Sequence, residues 1–160
     1  MNATSEGVLA RKVSLDVFRD VTSGGAYLNL RLKSARAALS ERDASFMTAL
    51  VHTVLDKLYT IDSVLDKVVA KKPKPVIRDI LRLATAELLF MRTPTYAVAG
   101  TYTALTGAIG KKALTGFVNG VIRALAREKE NLSPVAEDTS ASLSVRYSCP
   151  EWIVSMWINR

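Results

Sequence analysis

Histidine and cysteine are nearly absent from this chain. His52 and Cys149 are the single examples in 160 residues. A zinc site takes about three or four Cys, His or carboxylate ligands, so no metal is expected, and one cysteine forms no intrachain disulfide. His52 has no second histidine or cysteine at ligand spacing and is expected to be a structural or partly buried residue rather than a catalyst. Cys149 has no histidine close in sequence and no claim as a nucleophile. Long apolar runs are missing too. None approaches the roughly 20 residues of a membrane span, so no membrane partner is expected. The first seven residues are polar and unlike a signal peptide, which makes the cytoplasm the default location. Acidic residues are few beside basic ones, 15 against 22. The resulting net charge of +7 favours a polyanionic partner. A phosphate loop is not the means: GAIGKKALTG at 107–116 lacks the GxxxxGK[ST] spacing and a preceding strand.

What is present is helical periodicity. With 49% hydrophobic and 23% charged residues the chain can build a core. Met47, Leu50, Val51, Val54, Leu55 and Leu58 recur at i, i+3, i+4, i+7, i+8 and i+11, one apolar helix face. Ile61, Val64, Leu65, Val68 and Val69 continue in a new phase, which predicts a second helix or a bend near Thr60. Pro73 and Pro75 then separate the elements. Ile77, Ile80, Leu81, Ala84 and Leu88 form the next face. Leu83, Leu89 and Phe90 lie off it, so this helix is apolar nearly all round and is expected to be central. A helix over 95–106 is predicted to end at Gly107 and Gly110. Phe117, Val118, Val121, Ile122 and Leu125 mark another. At the front, Leu9, Val13, Val17 and Val21 step by four up to Gly24 and Gly25. Leu28, Leu32 and Ala35 follow. No strand-like alternation of useful length occurs. The fold class is therefore all-α, about seven helices between Val8 and Glu130.

Residues 131–142, NLSPVAEDTSAS, are small and polar and read as a linker. Beyond it, Ser148 and Glu151 are spaced as a capping box with Pro150 in the first turn. A short helix carrying Trp152, Ile153, Met156 and Trp157 is expected to need a packing partner. The division is thus 1–130 as a helical domain, 131–142 as linker, and 143–160 as the start of a connection to a further domain.

The basic residues fall in three sets. Lys12, Asp16 and Arg19 share a stripe of the first helix, with Arg11 beside them. Asn29, Lys33 and Arg36 repeat the spacing on the second. Lys67, Lys71, Lys72 and Lys74 surround a helix end, where cations complement the helix dipole. Lys111 and Lys112 sit in a Gly-flanked loop ahead of Arg123 and Arg127. A nucleic-acid face needs one-sided clusters of this kind, because phosphate contacts supply most of the affinity. The first and third sets are the candidates: Arg11, Lys12, Arg19, Lys33, Arg36, Lys111, Lys112, Arg123 and Arg127. For any single stripe a solvated helix face is the competing reading. Of the aromatics, Tyr27 is near the first set but reads equally as a helix-start packing residue. Tyr96 and Tyr102 read as core or rim.

Three stretches resemble NusB-like RNA-binding domains, in the same order: ERDASFMTALVHTVL at 41–55, IRDILRLATAELLFMRTP at 77–94 and GFVNGVIRAL at 116–125. The tail SLSVRYSCPEWIVSMW at 142–157 is similar to the segment that follows the NusB-like domain in Sun/Fmu-type ribosomal RNA methyltransferases. Cys149 stands where that segment usually has histidine. The resemblance implies a NusB-like helical bundle, and an RNA-binding N-terminal module of a small-subunit ribosomal RNA cytosine-5 methyltransferase. Its partners would be ribosomal RNA and its own methyltransferase domain. It implies no catalytic residue and no cofactor in these residues, with S-adenosylmethionine expected for the absent domain. Two departures stand out. Gly100 and Thr101, in VAGTYTALTG, replace the family's Asn-Glu pair. The family's N-terminal arginine cluster is reduced to Arg11 and Lys12. The alternatives are a free-standing transcription antitermination factor, against which the tail argues, and a protein-docking helical scaffold without RNA contact.

Overall fold

Most residues of the apolar stripes between Val13 and Leu125 lie on the buried faces of helices in the computed structural model, which describes residues 3–129 and 140–158. The helices are α1 (Ala3–Thr22), α2 (Leu28–Arg36), α3 (Glu41–Asp56), α4 (Leu58–Val68), α5 (Pro75–Phe90), α6 (Thr95–Ala108), α7 (Thr115–Glu128), α8 (Ser140–Tyr147) and α9 (Glu151–Ile158), with a 3-10 turn at Lys112–Leu114. No strand occurs among the described residues.

Local chemistry sets the boundaries. Ser40 caps α3, its side chain accepting from the Asp43 N–H at 3.2 Å. The phase change between α3 and α4 falls at Lys57. Pro75 occupies the first turn of α5, where its missing N–H costs nothing. Gly110 at φ 83° closes α6. There the Gly110 and Lys111 N–H groups bond the Gly107 and Thr106 carbonyls, a Schellman motif.

The central position of α5 is as predicted: it packs against α1, α3, α4, α6 and α7. Leu81, Leu83, Ala84 and Leu88 are buried together with Leu50, Leu65, Val98, Leu105 and Ile122 in the main core. A second, smaller core joins Val17 of α1 to Leu32 and Ala35 of α2 and to Met47 and Val51 of α3. Helix α1 therefore serves two cores. Val13, Val17 and Val21 face the small one, while Leu15 and Phe18 enter the large one. Leu9, expected on the buried stripe, is 43% exposed. The reason is that α1 is covered on two sides, by α2 and α3 and by α5 and α6, so its buried arc is not one i+4 row.

Gly100 and Gly120 are exposed within α6 and α7, and nothing lies within 4 Å of where a Cβ would sit on either. Gly100→Ala and Gly120→Ala are each expected to stabilise the fold by up to about 1 kcal/mol. Urea unfolding checks this, and a loss of stability would mean that these bare positions are strained or covered.

The tail departs from expectation at Ser148. Its φ is 50°, and its Oγ is buried without a hydrogen-bond partner, so it forms no capping box. Ser148 instead closes α8: its N–H and that of Cys149 bond the Val145 and Ser144 carbonyls, again a Schellman motif. Pro150, not Ser148, precedes the first residue of α9. Helix α8 begins at Ser140, inside the stretch read as linker, and the rest of that stretch lies outside the described residues. α8 packs on α4, where the Thr60 hydroxyl donates to the Val145 carbonyl.

Candidate nucleic-acid interface

Arg11 has to be withdrawn from the candidate surface. Its phase, i to Leu15 at i+4 and Phe18 at i+7, carries it inward with the core. Its Nε donates to Glu87 Oε2 at 2.8 Å and its Nη2 to Oε1 at 2.7 Å, with the Glu87 side chain fully buried. Nη1 bonds the Gly7 carbonyl, and the guanidinium lies 4.7 Å from the Phe46 ring centroid. Burial alone would lower the Arg11 pKa, but Glu87 reverses this and holds it above its ordinary value. Tyr102 donates to Glu87 Oε2, and Thr93 to Oε1 at 3.1 Å. Burial first, then the Glu87 charge, pushes the Tyr102 hydroxyl well above its ordinary value. It thus stays a donor. This network ties α1 to α5 and α6 and commits Arg11 Nε and Nη2 to Glu87 rather than to a ligand.

Three of the remaining candidates, Lys12 and Arg19 of the first set and Lys111 of the third, meet at one groove of about 650 Å³. Its walls are Lys12, Leu15, Asp16 and Arg19 from α1, Lys74, Pro75 and Val76 at the start of α5, and Ile109 and Lys111 after α6. Four cations face one carboxylate there. Lys12 is tied to Asp16 at 2.7 Å, and Arg19 is paired at 3.2 Å with Asp79 of α5. Sequence reasoning named Lys74 in the second set and passed that set over as a complement to the helix dipole. The dipole argument suits Lys67, in the last turn of α4, but Lys74 is the N-cap of α5. A cation at a helix N-terminus opposes the dipole and adds to its positive potential. Pro75 was the available signal, since proline in a first turn puts Lys74 at the cap.

Lys74 also borders a second groove, with Lys71, Lys72, Pro73, Ile77, Leu114 and Phe117. Phe117 is 39% exposed among these lysines. Its stripe continues along α7 through Gly120 to Arg123 and Arg127, all three exposed. Lys112 is exposed beside Lys111. Lys33 and Arg36 are exposed on α2, which contacts α1 and α3 and lines neither groove. Tyr27, before α2, and Tyr96 are about four-fifths exposed, whereas Tyr102 is fully buried. His52 lies exposed on α3 rather than partly buried. No cluster of three metal-ligating side chains occurs among the described residues. No helix there is long and apolar enough to cross a membrane.

On α9 the face expected to need a partner is open. Trp152 is 66%, Met156 50% and Trp157 64% exposed, while Ile153 is half-buried and Val154 turns inward.

The NusB family model matches residues 9–127. The chain belongs to the NusB family. The match ends within α7, so α8 and α9 lie outside it. A Mycobacterium tuberculosis protein described as a methyltransferase is 32% identical over 155 residues, 90% of this chain and 34% of that relative. A Bacillus subtilis protein described as a probable ribosomal RNA small subunit methyltransferase B is 30% identical over 152 residues, 92% of this chain and 34% of its own length. The Escherichia coli ribosomal RNA small subunit methyltransferase B is 24% identical over 147 residues, 90% of this chain and 33% of its own. The chain therefore spans about a third of the length of these curated relatives. A chain in the crystal structure of the antitermination factors NusB and NusE with double-stranded RNA superposes with a TM-score of 0.65 at 22% identity. That superposition covers 79% of this NusB-family chain and 98% of the other, and shows the shared all-α fold.

Proposed function

We propose that this NusB-family chain is an RNA-binding module that positions small-subunit ribosomal RNA for a cytosine-5 methyltransferase domain. The observation that carries the RNA reading is the groove where Lys12, Arg19, Lys74 and Lys111 converge at the α5 N-terminus. Such a site takes phosphate through charge and free helical N–H groups. Phe117 among Lys71, Lys72 and Lys74 adds a surface on which an unpaired base can stack. The ribosomal and methyltransferase parts of the reading rest on the relatives' names. S-adenosylmethionine would belong to that other domain: its sulfonium is a cation, and a groove walled by four cations does not suit it.

Fluorescence anisotropy with a small-subunit ribosomal RNA fragment and a scrambled control, at two salt concentrations, tests the proposal. Salt-sensitive binding that prefers the ribosomal fragment is expected. Equal binding to both RNAs would reduce the module to an electrostatic grip. No binding at low salt would end the RNA reading and favour a docking scaffold.

The open face of α9 is assigned to the methyltransferase domain. Trp152→Ser with Trp157→Ser is expected to leave the melting temperature of this chain within about 2 °C, since both side chains are mostly exposed. The same pair should weaken association with a separately produced methyltransferase domain in calorimetric titration. Unchanged association would sink the assignment.

A further inference from the structure

The four cations of the first groove are not equivalent. Lys12, Lys74 and Lys111 carry point charges on flexible stems. Arg19 is held from behind by an ion chain that crosses three helices. Asp79, whose side chain is 8% exposed, pairs with Arg19 Nε at 3.2 Å and accepts from Arg82 Nη1 at 2.9 Å. Arg82 in turn grips both carboxylate oxygens of Asp62, at 2.8 and 2.9 Å. Asp62 and Asp66 bind Arg78 at 3.1 and 3.0 Å. The chain runs Arg19–Asp79–Arg82–Asp62–Arg78–Asp66 and ends at the groove. No hydrogen bond from Arg19 Nη1 or Nη2 to another described residue is present.

We propose that Arg19 is a preorganised phosphate fork of the RNA groove and that Asp79 is its positioning residue. The inference rests on the RNA reading above and adds which side chain fixes the backbone of the bound strand. A planar guanidinium held at Nε presents its two terminal nitrogens to one phosphate, which an ammonium cannot imitate. The carboxylate that holds it subtracts charge from an anion site, so its effect on binding has a distinctive sign.

The whole chain is titrated with the ribosomal RNA fragment by anisotropy, comparing wild type, Arg19→Lys, Asp79→Asn and the double variant, each checked for an unchanged fold by circular dichroism. Asp79→Asn retains an oxygen for Arg82. Arg19→Lys is expected to weaken binding by about tenfold although charge is kept. Asp79→Asn is expected to weaken it as well, although a negative charge is lost, and to have no further effect beside Arg19→Lys. Tighter binding by Asp79→Asn in both backgrounds would overturn the proposal, since charge alone would then explain it. If Asp79→Asn misfolds, Arg19→Lys decides: affinity within about twofold of wild type overturns the fork. Should Lys74→Glu with Lys111→Glu weaken binding while Arg19→Lys does not, the RNA reading survives and only the fork is lost. Wild type without salt-dependent binding removes both. Polyglutamate competing as well as RNA also overturns the fork, in favour of a carboxylate-bearing protein.

Discussion

Arg11→Ala is expected to destabilise the domain by about 3–5 kcal/mol, the cost of leaving a buried charge without its partner. Glu87 is fully buried and keeps only Tyr102 and Thr93 as donors once Arg11 is gone. The alanine also vacates the Phe46 ring face. Urea unfolding measures the loss. The companion experiment is Arg11→Met with Glu87→Leu. Removing both charges replaces an ion pair by apolar packing, and such replacements are often close to neutral. The double variant is therefore expected to recover part of the stability lost by Arg11→Ala, and adding Tyr102→Phe, which removes the buried hydroxyl left without its acceptor, to recover most of it. A single-variant cost below about 1 kcal/mol would place the pair among ordinary surface ion pairs. Arg11→Glu, which on sequence alone looks like a test of RNA contact, sets a carboxylate against Glu87 and tests folding instead.

Lys74→Glu with Lys111→Glu is expected to weaken RNA binding by at least about tenfold near 0.1 M salt, and to make the dependence of log K on log salt shallower by about 2. Both side chains line the groove. A glutamate at position 74 stands at the α5 N-cap, where negative charge suits the dipole, so stability should hold or rise slightly. Affinity and stability then move in opposite directions, which separates lost contact from lost fold. Lys33→Glu with Arg36→Glu is the control. Those residues are exposed on α2 away from either groove, and a drop in affinity equal to that of the groove variant would move the interface to α2.

The helices were legible because each buries a stripe with a 3.6-residue period, and α5 was legible as central because it is apolar nearly all round. What escaped were the charges inside. Arg11 stands next to Lys12 and reads as the edge of a basic stripe, although its helical phase is that of Leu15 and Phe18. Glu87 gave the complementary hint. An acidic residue in the helix expected to be most buried calls for a buried cation, and spacing along one helix does not say that it comes 76 residues earlier. Lys12 and Arg19 meeting Lys111 across α1, α5 and α6 is likewise tertiary information. Ser148 failed as a cap because a Schellman ending of α8, set by backbone geometry, competes with the capping box for the same residue.

The seat of α8 on α4 has a kinetic side. The Thr60–Val145 contact joins residues 85 apart in sequence. Long-range closures of this kind carry an entropic cost before their contacts repay it. The helices between Glu41 and Glu128 can assemble through shorter closures. α8 is then expected to dock late, on a surface that already exists, so that Thr60→Val speeds unfolding in a stopped-flow measurement and leaves the refolding rate unchanged.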